Sequence, residues 1–475
     1  MPEGAEILNV AQDFPAVSTP EWEAAIAKDL KGADYEKKLV WRTEEGLAVR
    51  PYYRKEALEG IAPFGYATGR SWEIAQDAPI SEDAIRGDLL HEAGAHAIQE
   101  LGYAMAEGVE RLAASAEAVE FVFAAGPATF VEIAKLRAAR LLWAQVLAAF
   151  GKEGAMRLHV RTPRRNKSVY DRYSNLLRVT TEAFSAAVGG CDSLDVEAFG
   201  FDAHLALNVQ RILKEEAHLD AVSDPAGGSY YVEALTDSLA REAWKLLQAV
   251  EASGGFAAAV ESGAVEKELE KARSARAKAY SARKRTLVGV NNYPDVGEKV
   301  PATNVGQAGS LRRVGNPPGA PVDNRRAGYH PAPQGQVRIA EPFEAIRRRT
   351  AAHTNETGKC PKVLLLKRGD VKMKGARSNF CFNFFGCAGF DLEEKEVYSD
   401  TDADLIVLCS SDAEYLDLAK EVCGAVKVPV IVAGYPKEQA EALTAAGVAG
   451  FIQVFSDAVE TLTLWQDRLG MRSAQ

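Results

Sequence analysis

The sequence predicts an α/β protein of two unlike domains, an incomplete ring of β/α units followed by a doubly wound parallel sheet. Three observations predict it. From about Ser81 to Gly263, short strand-like runs alternate with helix-spaced apolar runs at roughly 35-residue intervals. Residues 296–340 are rich in Pro, Gly and Arg and carry no periodicity, which reads as a linker. A second alternation opens at Lys362-Val363-Leu364-Leu365-Leu366, the apolar run of a buried parallel strand.

Each element follows from local pattern. The opening 80 residues are an arm punctuated by Pro15, Pro20, Pro51, Pro63 and Pro79, with Trp22, Trp41 and Trp72 as anchors. Ile98, Leu101, Met105, Val109 and Leu112 fall on one helical face. Phe121–Ala124 reads as a strand, and Phe130, Ile133, Leu136, Ala139 and Trp143 as the next helix. Met156–Val160 is a strand, and Leu176, Val179, Ala183 and Ala187 form a helix that Gly189-Gly190 ends. Leu194, Val196 and Ala198 alternate as a strand before a helix through Leu205, Val209, Ile212 and Leu213. Helical spacing continues to about Lys284. In the second domain, strands at Leu405–Leu408, Val430–Val432 and Phe451-Ile452 alternate with helices through Tyr415–Val422, Gln439–Leu443 and Val459–Leu469. Ligands of such a sheet bind at the strand C-terminal ends.

A closed (β/α)₈ barrel takes about 250 residues. Between Ser81 and Gly200 only three strands are clear, with a weak fourth around Ile85–Leu90, so the first domain cannot close from one chain. Its open edges call for a cover, and a partner chain is the expected one.

Composition narrows the function. Lys+Arg 56 against Asp+Glu 66 leaves a net charge of −10, which argues against a nucleic-acid binder. Charges break every apolar run before membrane-spanning length, and Met1–Glu6 lacks a secretory pattern. The six cysteines form no CxxC pair and read as reduced core thiols, so a cytoplasmic protein is expected. His91 and His96 stand five apart, not the i,i+4 spacing of a zinc helix, and no metal site is expected. Arg161, Arg164, Arg165, Lys167 and Arg172 form a local basic cluster that suits phosphates, an acidic partner surface, or a solvated or interface loop.

The run Asp224-Pro225-Ala226-Gly227-Gly228-Ser229-Tyr230, continuing to Ala240, resembles the D-P-W-G-G-S-Y segment of methylmalonyl-CoA mutases. R-S-W-E-I-A-Q at 70–76, H-E-A-G-A at 91–95, E-I-A-K-L-R-A-A-R at 132–140 and L-V-G-V-N-N-Y at 287–293 match in the same order. The opening L-K-G-A-D-Y-E-K-K-L-V-W-R-T-E-E-G and V-R-T-P-R-R-N-K-S-V-Y-D at 160–171 resemble the small, noncatalytic subunit. The resemblance covers most of the chain. It implies a fold with a truncated TIM-type β/α barrel and a C-terminal flavodoxin-like domain of the cobalamin-binding type. The implied division is an arm over 1–80, a partial barrel with trailing helices over 81–295, a linker with a short helix over 296–358, and the flavodoxin-like domain over 359–475. About four of the family's barrel units are expected to be missing between Gln76 and His91.

The family's D-x-H-x-x-G cobalamin motif falls on Asp370, Lys372 and Gly375, with Lys372 at the cobalt-ligand position. A lysine ammonium, with a pKa near ~10.4, has no lone pair to give at neutral pH. The S-x-L motif falls on Ser410-Ser411-Asp412, and the Gly-Gly pair on Ala433-Gly434, where a Cβ crowds the nucleotide tail. In the barrel, Y-H-x-Q-E-A-G falls on Asp88–Gly94, so Leu89 stands for the catalytic histidine and His91 for a glutamine. H-S-Q-T-S-G falls on 159–164 and keeps His159 and Thr162; His159 and Arg161 are the vestigial substrate residues. No catalytic residue is expected. The resemblance implies an accessory small subunit, with adenosylcobalamin and the interconversion of (R)-methylmalonyl-CoA and succinyl-CoA on a large partner subunit, and no cofactor here. Two alternatives stay open: a cobalamin-dependent acyl-CoA mutase of altered chemistry, and a homodimeric scaffold.

Overall fold

The computed structural model describes residues 14, 16–62, 71–76, 80–81, 83–114, 119–298, 338–398 and 401–472. Pro15, Pro63, Pro79, Arg70, Met1–Glu6 and the proline runs 317–321 and 331–333 lie outside them. No described helix is long and apolar enough to cross a membrane.

The chain is α/β with two parallel five-stranded sheets. The first joins β3 (Glu73–Ala75), β4 (Ile85–Arg86), β5 (Glu120–Ala124), β6 (Arg157–Arg161) and β7 (Ser193–Asp195) in the order β3-β7-β6-β5-β4. The weak fourth strand of the sequence is therefore real, although only two residues long. A fifth, Glu73–Ala75, lies inside the stretch read as the arm. Its alternation is too short to detect, and pairing with Ser193–Asp195 is what makes it a strand.

One face of this sheet is apolar. Phe121 and Phe123 of β5 stack with ring centroids 6.1 Å apart, and Phe121 meets Trp143 edge-on at 4.8 Å. Trp143 belongs to α4 (Thr129–Ala149), which packs on this face beside α3 (Ala97–Ala114), α5 (Ser174–Val188) and α7 (Tyr230–Ala252). These helices follow α1 (Thr19–Asp29) and α2 (Gly87–Glu92), with α6 (Ala203–Arg211) between α5 and α7. Leu158, Leu194, Leu101 and Leu136 join the same core.

The motifs that carry the resemblance are joints of this packing. Arg137 on α4 is fully buried and pairs with Asp224 and, at 2.7 Å, with Glu233. Gly228, at φ +80°, donates its N–H to the same Glu233 carboxylate at 2.9 Å, and Ser229 caps α7. The Asp224–Glu233 run is thus a socket for Arg137. Lys135, also fully buried, meets Glu100 at 2.7 Å, Glu132 at 2.5 Å and the Ala124 carbonyl at 2.8 Å. Asn291 closes the L-V-G-V-N-N-Y loop by donating to the carbonyls of Tyr280 and Arg285 and accepting from the Leu287 N–H.

The hairpin β1 (Trp41–Arg42) and β2 (Ala48–Val49) docks in cis, with Glu44 on Arg276 of α8 (Ala264–Ser281) and on Arg285. Burial pushes the Glu44 carboxyl up, but Arg276, Arg165 and Arg285 together bring it down to about 2.

The second sheet runs β12-β11-β10-β8-β9: β8 (Lys362–Lys367), β9 (Asp391–Lys395), β10 (Leu405–Cys409), β11 (Val430–Ala433) and β12 (Gly450–Ile452). Every pairing is parallel. Helices α9 (Glu341–Thr357), α10 (Val371–Gly386), α11 (Tyr415–Ala425), α12 (Ala440–Ala445) and α13 (Ala458–Arg468) cover its two apolar faces. The sequence pattern missed β9, because D-L-E-E-K is a charged edge strand with no buried residue.

Candidate functional site

In the second sheet the strand order reverses between β8 and β10, and ligands of doubly wound sheets bind at that point, beyond the strand C-termini. The three predicted cofactor residues do gather there, on the first turns of α10. Asp370 caps α10, its Oδ1 accepting from the Met373 N–H at 2.7 Å. Lys372 is exposed. Gly375 is exposed too, and an added Cβ would meet nothing within 4 Å.

The crevice itself holds protein. Glu414 Oε2 accepts from the Asp370 N–H at 3.2 Å, Ser410 Oγ at 2.9 Å, Ser411 Oγ at 2.5 Å and the Ser411 N–H at 3.3 Å. The Ser411 hydroxyl, the Asp370 N–H and the Ser410 hydroxyl hold the Glu414 carboxyl down at about 2. From α10, Arg377 reaches across to the Ala433 carbonyl, the Tyr415 hydroxyl at 3.0 Å and Asp412 at 2.5 Å. A Cβ on Gly434 would overlap the Arg377 guanidinium. What crowds the Ala433-Gly434 corner is therefore Arg377 rather than the Ala433 methyl that the sequence suggests. Neither Glu414 nor Arg377 stands out in the sequence. Only Ser411-Asp412-Ala413-Glu414, a capping-box pattern, signals the first.

In the first domain the residues opposite the apolar face form two rows. One runs Arg86, Val122, His159, Ser193, Glu73 and the other Ala124, Arg161, Asp195, Ala75. Both predicted substrate residues lie on this face, already partnered. His159 Nδ1 is 2.7 Å from Ser193 Oγ. Arg161 lies 3.3 Å from Asp195 and 3.8 Å from Asp88, and Arg86 grips Asp88 with two bonds of 2.7 Å. His91 Nδ1 faces the buried Glu100 at 3.1 Å. Three more of the basic cluster are spent on structure: Arg164 pairs with Glu197, Arg165 donates to the carbonyls of His91 and Ala95, and Lys167 holds Glu182 at 2.7 Å; Arg172 is exposed and donates to the Tyr173 hydroxyl at 3.1 Å. A hollow lined by Trp72, Cys191, Leu219, Val222 and Asp224 has room for about one water molecule. It lies at the N-terminal ends of β3 and β7, away from the end where β/α units bind ligands.

Burial, with Arg161 beside it, brings His159 down to about 4 from the ordinary value of about 6.5. Its folded pKa is below its unfolded one, so the unfolded chain binds the extra proton between those values. The contribution is full above pH ~6.5 and is lost as pH falls toward ~4. His159→Gln is expected to flatten that part of the urea-midpoint profile; an unchanged slope would assign it to other groups.

The family model described as methylmalonyl-CoA mutase matches residues 70–313. A protein of Porphyromonas gingivalis named methylmalonyl-CoA mutase small subunit is 30% identical over 630 aligned positions, covering 97% of this chain and 98% of its own length. Because 630 positions exceed the 475 residues of this chain, well over a hundred of them have no counterpart here. The small subunit of Streptomyces virginiae is 34% identical over 82% of this chain, and a probable small subunit of Mycobacterium bovis 33% over 72%. These two matches span 64% and 57% of the relatives' lengths. With its motif residues forming the joints of the first domain and 97% of its length matched to a named small subunit, the chain belongs to the methylmalonyl-CoA mutase family, on its small-subunit side.

Proposed function

We propose that this chain is the accessory, noncatalytic subunit of a heteromeric methylmalonyl-CoA mutase, contributing interface and stability. A large partner subunit would carry adenosylcobalamin and the radical interconversion of (R)-methylmalonyl-CoA and succinyl-CoA. The observation that carries this reading is the crevice between β8 and β10. Lys372 stands at the ligand position, Asp370 caps a helix, and Glu414 and Arg377 fill the space between. These residues do not fit cobalamin.

The first domain fits the same reading. If β3 is the first strand of an eight-stranded barrel, then β7, its neighbour, is the last, and β4 to β7 are strands five to eight. Three units are then missing, and only residues 76–84 stand in the chain between the two strands. On this reading the gap follows the first strand and takes three units, where the resemblance implies the loss of about the first four. The second domain has the 2-1-3-4-5 strand order of flavodoxin-like folds. A barrel opened by three units offers radical chemistry no sealed container. Helix α1 buries none of its residues and leaves Trp22 exposed, which suits an arm that lies on a partner.

The test is co-purification with a co-expressed large subunit, read by native mass and visible spectrum. A complex of one copy of each, with cobalamin absorbance confined to the large subunit, is expected. Cobalamin on this chain alone, or a homodimer indifferent to the large subunit, would overturn the reading. Lys372→His, which restores the ligand type, is expected to retain no cobalamin after dialysis, because Glu414 and Arg377 are still in place. A retained visible spectrum would count against the filled crevice.

A further inference from the structure

We propose that Glu414 is an internal ligand: its carboxylate occupies an anion site at the switch point of the second sheet and completes that fold without any bound molecule. This deepens the cofactor-free reading above and rests on it only in treating the crevice as a former ligand site.

The donors converge from two separate loops. After β8 comes the Asp370 N–H; after β10 come the Ser410 hydroxyl, the Ser411 N–H and the Ser411 hydroxyl. A capping box accounts for the exchange between Ser411 and Glu414. It does not account for Asp370 and Ser410, which lie outside the capped turn and tie β8 to β10 through the same oxygen. The backbone is shaped around that carboxylate. Gly369 has φ +77°, and a Cβ there would overlap Glu414. Ser410 is fully buried, and its single hydroxyl proton is shared between Glu414 at 2.9 Å and the Arg368 carbonyl at 2.8 Å, which holds the hydroxyl in the crevice.

Converging N–H and O–H groups at the C-terminal ends of parallel strands bind anions, because their positive ends point at one place. In this chain the anion is built in. On the other side of the crevice, Arg377 lies over the Tyr415 ring at 5.1 Å and reaches the Ala433 carbonyl. The ligand class that fits the donors is a small carboxylate, and the linked carboxylate holds it at an effective concentration no free anion matches.

Chemical rescue tests this. The thermal midpoint of the full chain is measured for the wild type and Glu414→Ala in sodium acetate and in sodium chloride of equal ionic strength. The wild type should melt alike in both salts. Glu414→Ala should melt several degrees lower in chloride and regain at least half of that loss in acetate. Equal midpoints of the variant in the two salts would overturn the proposal, since a lost capping box alone has no acetate dependence. If Glu414→Ala does not fold in chloride, recovery of soluble chain in acetate supports the proposal, and failure in both salts counts against it. Glu414→Gln keeps the shape without the charge and should melt below wild type with no response to acetate; a wild-type midpoint would show that the donors do not select a carboxylate. None of these readouts involves cobalamin or the large subunit, so the internal ligand and the accessory role can fail separately.

Discussion

Arg137→Ala is expected to cost about 3–5 kcal/mol of folding stability, seen as a large drop in the urea midpoint of the first domain. The guanidinium is fully buried, and two carboxylates from the Asp224–Glu233 socket converge on it. Removing it leaves Asp224 and Glu233 facing each other without a cation, and the N-terminus of α7 loses its tie to α4. The double variant Arg137→Met with Glu233→Gln should recover part of the loss, because fewer buried charges stand unpaired. A cost below about 1 kcal/mol would mean that the socket is held by its glycines and cap alone.

Lys135→Met is expected to be as damaging at neutral pH, again about 3–5 kcal/mol. Lys135 is the ammonium between the buried Glu100 and Glu132. Burial pushes both carboxyls up, and Lys135 pulls them down. Without it, their folded pKa values rise further above the unfolded ones, so the folded variant binds more protons than the unfolded chain. Stability then falls as pH rises from the ordinary carboxylate range. The variant should therefore lie closer to wild type at pH ~5 than at pH ~8. The opposite trend in urea midpoints would show that the carboxylates are not the source of the cost.

Much of the fold was legible from spacing. The strands at 120–124, 157–161, 362–367, 405–409 and 430–433 and the helices between them are long enough, and apolar enough on one face, for period alone to find them. Glu73–Ala75 was not legible and Ile85–Arg86 only weakly so, because two or three residues carry no period. Asp391–Lys395 was hidden by its charges.

The candidate site divides in the same way. Asp370, Lys372 and Gly375 are neighbours in the chain, so a motif brings them to the start of one helix, and the chemistry of a lysine at a ligand position follows from residue type. The same is true of the family, whose ordered motifs are local in sequence. The occupancy of the crevice is not local. Glu414 meets Asp370, and Arg377 meets Ala433, only because β8, β10 and β11 lie side by side, and each contact joins residues far apart in the chain. For His159 and Arg161 the sequence keeps the residue names, but Ser193, Asp195 and Asp88 reach them through strand register. Local pattern sets which elements form and which side chains are on offer. Which partner each buried charge finds is set by packing, since only a folded interior removes water and makes the pairing compulsory.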